Sequence, residues 1–154
     1  MAKRCWLFKS EPHSYSLRDL ERDKTTYWEG VRNYQARNML RDKIKIGDSV
    51  LFYHSREKPM HVAGTAIVTK AGYPDPTQFD KRSKYHDEKS TKENPRWYVV
   101  DIEFESEFAH PVTLDEMRTM PALKDMVLLR KGSRLSIQPV ASSEWKAVLR
   151  RGKP

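Results

Sequence analysis

The chain has 154 residues and a mass of 18.1 kDa, which fits a single domain over residues 1–154. It carries 29 Lys and Arg against 21 Asp and Glu, so its formal net charge is +8 and a polyanion is the first partner to consider. The single cysteine, Cys5, excludes an intramolecular disulfide framework, and no apolar run is long enough for a membrane span or a signal peptide. We therefore expect a cytoplasmic protein, or a nuclear one in a eukaryotic cell.

Local patterns in the first half of the chain predict short strands and helices. Ser16 and Asp19 have the spacing of a helix N-cap and its capping box, and the run from Ser49 to His54 is rich in residues that favour strands. In chain order, the predicted elements are a strand over residues 5–8, a helix after Ser16, a helix over residues 33–40, and strands over residues 49–54 and 62–69.

The second half opens with a long polar segment, residues 72–95, which is either a functional arm or a mobile insertion. After it, four acidic residues from Asp101 to Glu107 alternate with mostly apolar ones, which predicts a strand with a solvated carboxylate face. The remaining predicted elements are a helix capped by Thr113, a short helix from Pro121, an edge strand over residues 135–140, and a last helix that is capped by Ser142 or Ser143 and carries Trp145 on its apolar face.

The order of these elements favours an α+β fold. Strands and helices do not alternate regularly, so a parallel doubly wound sheet is not expected. We expect instead a small antiparallel or mixed β-barrel flanked by short helices.

Motifs for common catalytic and cofactor sites are missing from the sequence. It contains no glycine-rich dinucleotide motif and no complete P-loop, although Lys131-Gly132-Ser133 resembles the end of one. The histidines never occur at i, i+4, so the sequence offers no helical zinc pair. We therefore expect no cofactor, no bound metal and no catalytic residue, and we expect Cys5 to be a buried, inert thiol.

The densest group of stacking and hydrogen-bonding residues lies between Tyr27 and Asn38. Trp28 offers a flat apolar face, Asn33 an amide that can read the edge of a base, and Arg32 a cation for phosphate. The same residues also have a structural interpretation, in which Trp28 belongs to the core and the amides cap helices. From the residues alone, both interpretations stay open.

Several blocks of the sequence resemble the EVE domain family. They are Trp6 to Pro12 (WLFKSEP), Trp28 to Asn38 (WEGVRNYQARN), Gly47 to Ser55 (GDSVLFYHS), Tyr73 to Pro76 (YPDP) and Lys131 to Ser136 (KGSRLS). The resemblance implies a PUA-like fold, which is a small and mostly antiparallel β-barrel flanked by short helices. It also implies kinship with YTH domains, which hold a methylated adenine in an aromatic cage.

The resemblance further implies a non-enzymatic reader of nucleic acid that carries a modified base, with modified cytosine in DNA expected before RNA. By position in the family's motifs, the base pocket would comprise Lys9, Ser10, Glu11, Trp28, Val31, Asn33, Tyr34, Tyr53, His54, Ser55, Ser136 and Gln138. Phosphates would be held by Arg32, Arg37, Lys131 and Arg134. No membrane partner is expected.

Two alternatives from other functional classes stay open. A hydrolase or nuclease would use His54 with a carboxylate such as Glu11 or Glu29, and turnover of nucleic acid would identify it. A pocket for a small anionic nucleotide or metabolite would show saturable binding that is indifferent to strand length. A protein-interaction module has less support, because the sequence leaves no large apolar stripe unexplained.

Overall fold

The computed structural model describes residues 4–132 and 134–153, which form a six-stranded sheet with helices on both faces. The strands are β1 (Cys5–Ser10), β2 (Thr25–Tyr27), β3 (Ser49–His54), β4 (His61–Pro74), β5 (Tyr98–Thr113) and β6 (Ile137–Val140). The α-helices are α1 (Leu17–Asp23), α2 (Tyr34–Asn38), α3 (Leu114–Arg118) and α4 (Ser142–Gly152). Shorter turns are a π-helical turn (Met39–Lys43) and three 3₁₀ turns (Pro76–Phe79, Pro121–Leu123 and Val127–Leu129).

The strand order is β2-β5-β4-β3-β1-β6, and β1 and β3 form its parallel pair while the other neighbours are antiparallel. The predicted α+β class with a mostly antiparallel sheet is therefore confirmed. Within the described residues no ladder joins β2 to β6, so hydrogen bonds do not close the sheet into the expected barrel.

Alternation along the strands builds two hydrophobic cores, one on each face of the sheet. On β3, Phe52 belongs to the core that also contains Trp28, whereas its neighbour Tyr53 belongs to the core under α4. We call the side of Phe52 and Trp28 the first face and the side of Tyr53 the second face. The first face is covered by α1, α2 and the π-helical turn, and the second by α3, α4 and the last two 3₁₀ turns.

Most of the strands and helix caps that local sequence patterns predict lie at the predicted positions. β3 has the predicted bounds, Ser16 caps α1 with a complete capping box, and Pro139 lies on an edge strand. The predicted cap of α4 is wrong: the N-cap is Ala141, because the Glu144 carboxylate accepts a hydrogen bond from the Ala141 backbone N–H at 2.8 Å.

Sequence analysis expected the arm over residues 72–95, but β4 extends to Pro74 and β5 begins at Tyr98, so the arm covers residues 75–97. It is organised around the buried Gln78, whose side-chain amide donates to the carbonyls of Asp75 and Trp97 and accepts from the Trp97 backbone N–H. Trp97 is itself buried and donates its indole N–H to Asp87 at 2.7 Å. The arm is thus tied to the end of β4 and the start of β5, on the side of the molecule where the site described next is found.

Candidate nucleic-acid interface

A cavity of about 670 Å³ opens on the first face, between the ends of β1 and β2 and the arm. Its walls bring together residues that are far apart in the sequence. They are Lys9, Ser10, Glu11, Ser14, Tyr15, Thr26, Tyr27, Trp28, Glu29, Gly30, Val31, Arg32, Lys84, Tyr85 and Ser136.

The apolar wall of the cavity is made by Trp28 and Val31, which are only 9% and 7% exposed. The Trp28 ring packs against Phe8 at 5.3 Å and edge-on against Phe52 at 5.5 Å between ring centroids. Its backbone N–H donates to the Val100 carbonyl at 2.9 Å, which anchors the segment to β5. Trp28 is therefore a fixed aromatic surface, and such a surface can stack with a planar ligand.

The end of β1 supplies a polar wall. Lys9 donates its backbone N–H to the Ser136 carbonyl at 2.9 Å, and partial burial lowers the pKa of its ammonium group. The Ser10 hydroxyl donates to the Tyr15 carbonyl. Glu11 lies 3.2 Å from a guanidinium nitrogen of Arg56, so its charge is partly compensated.

A second carboxylate, Glu29, follows Trp28 directly in the sequence. The residue as a whole is exposed, but partial burial of its carboxylate, followed by repulsion from Asp75, raises its pKa. The neighbouring Tyr27 is 41% exposed, and burial together with the charge of Glu29 raises the pKa of its phenol. This part of the cavity therefore combines an acceptor group with an aromatic side chain.

The arm is fastened to the Trp28 segment by Asp75, which is completely buried. Its carboxylate accepts the Gly30 backbone N–H at 2.9 Å and pairs with the Arg32 guanidinium at 3.1 Å. It also accepts the Thr77 backbone N–H at 2.8 Å. We call Asp75, Gly30 and Arg32 the latch. Sequence reasoning missed it, although the YPDP block that contains Asp75 was one of the blocks that carried the family resemblance.

Tyr85 of the arm packs against the latch and lines the cavity beside it. The Arg32 guanidinium donates to its carbonyl at 2.7 Å and lies 5.5 Å from the centre of its ring. Gly30 has φ of +80°, and a Cβ there would lie 2.5 Å from the Tyr85 ring, so the ring rests directly on this glycine. Tyr85 and its neighbour Lys84 both line the cavity, and no local pattern in the sequence pointed to either residue.

Six of the predicted base-pocket residues line this cavity: Lys9, Ser10, Glu11, Trp28, Val31 and Ser136. The other six lie outside it: Asn33, Tyr34, Tyr53, His54, Ser55 and Gln138. Asn33 caps α2 by accepting the Ala36 N–H at 3.0 Å, and the half-exposed Tyr34 stacks on Trp97 at 4.9 Å.

Four of the six residues outside the cavity lie at the end of β3, directly after it, or on β6, and contacts within the fold hold them in place. Tyr53 lies in the core of the second face, where burial raises its pKa to about 12. His54 accepts the Leu17 N–H at the start of α1 through Nε2 at 3.1 Å, and burial, with His61 next, lowers its pKa. Ser55 donates its backbone N–H to the Ser10 carbonyl at 2.9 Å. Gln138 is buried and donates to the Leu135 carbonyl at 2.9 Å.

The predicted phosphate ligands are in three different situations. Arg32 lines the cavity but its guanidinium is engaged in the latch. Arg37 donates to the Arg96 carbonyl at 2.6 Å and lies over the Tyr34 ring. Lys131 and Arg134 are exposed in the loop before β6, beyond the cavity, and Ser133 between them lies outside the described residues. Lys84, by contrast, lines the cavity, although it was not among the predicted phosphate ligands.

The described part of the chain contains no group of three or more His, Cys, Asp or Glu residues placed to hold a metal ion. Within residues 4–132 and 134–153, no helix has the length and apolar character needed to cross a membrane.

Comparison with known proteins identifies the family. Thymocyte nuclear protein 1 is 41% identical to this chain in Gallus gallus and 40% identical in Homo sapiens. Each alignment covers 94% of this chain, which spans 66% of the chicken protein and 72% of the human one.

Solved structures match over nearly the whole length. A hypothetical protein from Leishmania major is 46% identical, with a TM-score of 0.91 over 97% of this chain and 94% of its own. The human THYN1 protein in complex with DNA that contains 5-methylcytosine is 38% identical, with a TM-score of 0.91 over 99% of both chains. A family model described as EVE domain matches residues 4–151, and the chain therefore belongs to the EVE domain family.

Proposed function

We propose that the chain is a single, non-enzymatic domain that binds DNA carrying a modified base, with modified cytosine as the target, and holds that base in the cavity beside Trp28. The observation that carries the proposal is the fixed aromatic wall in a cavity with cationic and acidic side chains, in a fold that matches human THYN1 bound to 5-methylcytosine-containing DNA.

The cavity has the parts that capture of an extruded base requires. A flipped base needs a stacking surface, hydrogen-bonding groups near its edge and cations near its phosphates. Trp28 provides the surface, Lys9 and Glu29 are polar groups of the walls, and Lys84 adds a cation on the arm. Stacking on an aromatic side chain contributes about 1–3 kcal/mol per base, so Trp28 is expected to supply a large share of the affinity.

The proposed role is binding, because His54 and Glu11, two of the groups that a hydrolase would use, are engaged elsewhere. His54 lies outside the cavity, and its Nε2 atom accepts a backbone N–H at the start of α1, so it is not available as a general base. Glu11 is paired with Arg56. The test for catalysis is an incubation of labelled DNA with excess protein, with magnesium or with EDTA, and we expect no product in either case.

The cellular compartment is inferred from DNA as the proposed partner. The chicken and human relatives are named as nuclear proteins, so a eukaryotic member would meet DNA in the nucleus, and a bacterial one in the cytoplasm.

The stacking role of Trp28 is tested by titrating duplexes with and without one 5-methylcytosine. We expect wild type to prefer the methylated duplex by about fivefold, since one buried methyl group contributes about 1 kcal/mol. Trp28→Ala should weaken binding by about 5- to 150-fold, the equivalent of 1–3 kcal/mol. Trp28→Phe keeps a ring and should lose less, which separates stacking from folding.

Trp145→Ala is the matched control, because it removes the same side chain from α4 on the second face. We expect this variant to bind both duplexes as wild type does. Unchanged affinity in a folded Trp28→Ala protein would contradict the position of the pocket. Equal binding of the free modified nucleoside and the oligonucleotide would favour the small-molecule alternative.

A further inference from the structure

Thymine is the natural competitor of 5-methylcytosine in any site that detects a pyrimidine methyl group. The two bases have the same ring and the same methyl, so neither stacking nor methyl burial separates them. On the edge that a flipped base exposes, cytosine carries an N4 amino donor beside an N3 acceptor, whereas thymine carries an O4 acceptor beside an N3–H donor. A reader of modified cytosine in DNA therefore needs a group that distinguishes a donor from an acceptor on this edge.

Two carboxylates line the cavity, and they differ in what already surrounds them. Glu11 lies 3.2 Å from Arg56 and 3.2 Å from the His13 ring, so both of its oxygens already have a neighbouring side chain as partner. The Ser10 hydroxyl is also occupied, since it donates to the Tyr15 carbonyl. Within the described residues, no Lys, Arg or His lies within ion-pair distance (4.0 Å) of Glu29.

We propose that the Glu29 carboxylate accepts a hydrogen bond from the N4 amino group of the captured cytosine and thereby rejects thymine. The inference rests on the proposed function and names the residue that sets its base specificity. Glu29 directly follows Trp28, so the acceptor and the stacking surface are joined by one peptide unit. Glutamate and aspartate are the side chains that accept from cytosine N4 in DNA recognition.

The surroundings of Glu29 favour a neutral donor over an acceptor. Its carboxylate is partly desolvated and faces repulsion from the buried Asp75, and these effects raise its pKa against the smaller opposing effects of the Lys84 charge, the Tyr27 phenol and the Arg32 charge. An N–H donor relieves this cost, whereas the O4 atom of thymine would place two acceptors against each other. A site that pairs with a polar group of its ligand discriminates strongly against an analogue in which that group is replaced.

The test compares four pyrimidine bases, so that the effect of the base edge and the effect of the methyl group on affinity are measured separately. The probes are duplexes that differ at one position, which carries cytosine, 5-methylcytosine, uracil or thymine opposite an abasic site, so no base pair must be broken in any of them. Dissociation constants are measured by fluorescence anisotropy for wild type and for Glu29→Gln. Glu21→Gln, at an exposed position on α1, is the control for the change in net charge.

We expect wild type and Glu21→Gln to bind 5-methylcytosine at least about tenfold more tightly than thymine, within the range of a good base-edge contact. Because the glutamine amide can either accept or donate, Glu29→Gln should bring the two affinities to within about twofold. The preference for methylated over unmethylated pyrimidine should stay the same in all three proteins. Glutamine has nearly the same shape as glutamate, and an unchanged melting temperature will show that the fold is kept.

The outcomes separate this inference from the proposed function. If wild type prefers the methylated bases but Glu29→Gln still rejects thymine, the role of Glu29 is overturned and the proposed function stands. Equal wild-type affinities for 5-methylcytosine and thymine also overturn it, because no edge is then read. If wild type binds none of the four probes or ignores the methyl group, the proposed function fails and the inference fails with it.

Discussion

The two faces of the sheet are built from the same strands but are stabilised in different ways. The second face is closed by apolar packing of α4 and its neighbours over residues such as Leu51 and Tyr53. The first face combines an apolar core around Trp28 with an open cavity, and a polar latch holds the arm across it. Apolar packing leaves no space for a ligand, whereas a latch fixes the opposite wall of a cavity without filling it. The side of the molecule that holds the cavity therefore depends on a few buried polar contacts.

Breaking the latch is the largest effect that we expect from this difference. Asp75→Asn removes the charge from a fully buried group and leaves the Arg32 guanidinium, which is 23% exposed, without its charged partner. The free energy of unfolding should fall by about 2–4 kcal/mol, somewhat below the cost of breaking a completely buried ion pair. Affinity for methylated DNA should fall as well, because Tyr85 and Lys84 lose their support. Chemical denaturation and DNA titration measure the two effects.

The matched control for the latch is an ion pair on the second face. Glu116 lies 3.2 Å from the Arg151 guanidinium, and both side chains reach solvent. Glu116→Gln should therefore cost less than about 1 kcal/mol and leave DNA affinity unchanged. Equal destabilisation by the two substitutions would contradict the special role that we give to the latch.

Removing one lysine charge from either face should have a smaller effect on DNA binding. Lys84 lines the cavity, so Lys84→Gln should weaken binding evenly across sequences and reduce the slope of log affinity against log salt by about 1. Lys146 is exposed on α4 of the second face, and Lys146→Gln should leave the slope unchanged. The measurement is a titration at several salt concentrations, and an equal change of slope in both variants would place DNA on both faces.

The smallest effect concerns the pH dependence of stability at the start of α1. The pKa of His54 is lowered in the folded protein, so below about pH 6.5 the unfolded chain takes up a proton that the folded protein refuses. Stability should therefore fall as pH drops through this range. Protonation would also remove the acceptor for the Leu17 N–H and place a positive charge at a helix N-terminus.

The His54 effect is measured as the melting temperature of wild type and His54→Gln at pH 7.5 and pH 5.5. The variant should be less stable at pH 7.5 and should lose less stability on acidification. The same pH dependence in both proteins would mean that other groups determine it.

Local chemistry in the sequence was sufficient for much of the fold. The β3 run, the capping box at Ser16 and the edge position of Pro139 depend on neighbours within a few residues, so they could be predicted. The site was harder, since its walls come from segments up to 127 residues apart, between Lys9 and Ser136. Asp75 joins Gly30 and Arg32 across 45 and 43 residues, and no local pattern reveals such contacts.

Two of the predicted pocket residues illustrate why family position alone was not enough. Tyr53 comes at the end of β3 beside the cavity, but strand alternation turns its side chain to the second face. Asn33 follows the structural interpretation that the sequence had left open, because its amide oxygen caps α2. Trp28 follows the structural interpretation, since it belongs to the core; it also lines the cavity, and its role in stacking with a base stays a prediction.

The latch also has a thermodynamic consequence for the arm. Local opening of residues 75–97 would separate Tyr85 from Trp28, so a ligand that contacts both residues must dissociate before the arm can open. By mass action, a ligand present at 100 times its dissociation constant adds about 2.7 kcal/mol to the free energy of that opening. Amide hydrogen exchange in the arm would then slow by about 100-fold on binding. The arm would thus report occupancy of the cavity through its own stability, even where its residues do not touch the ligand.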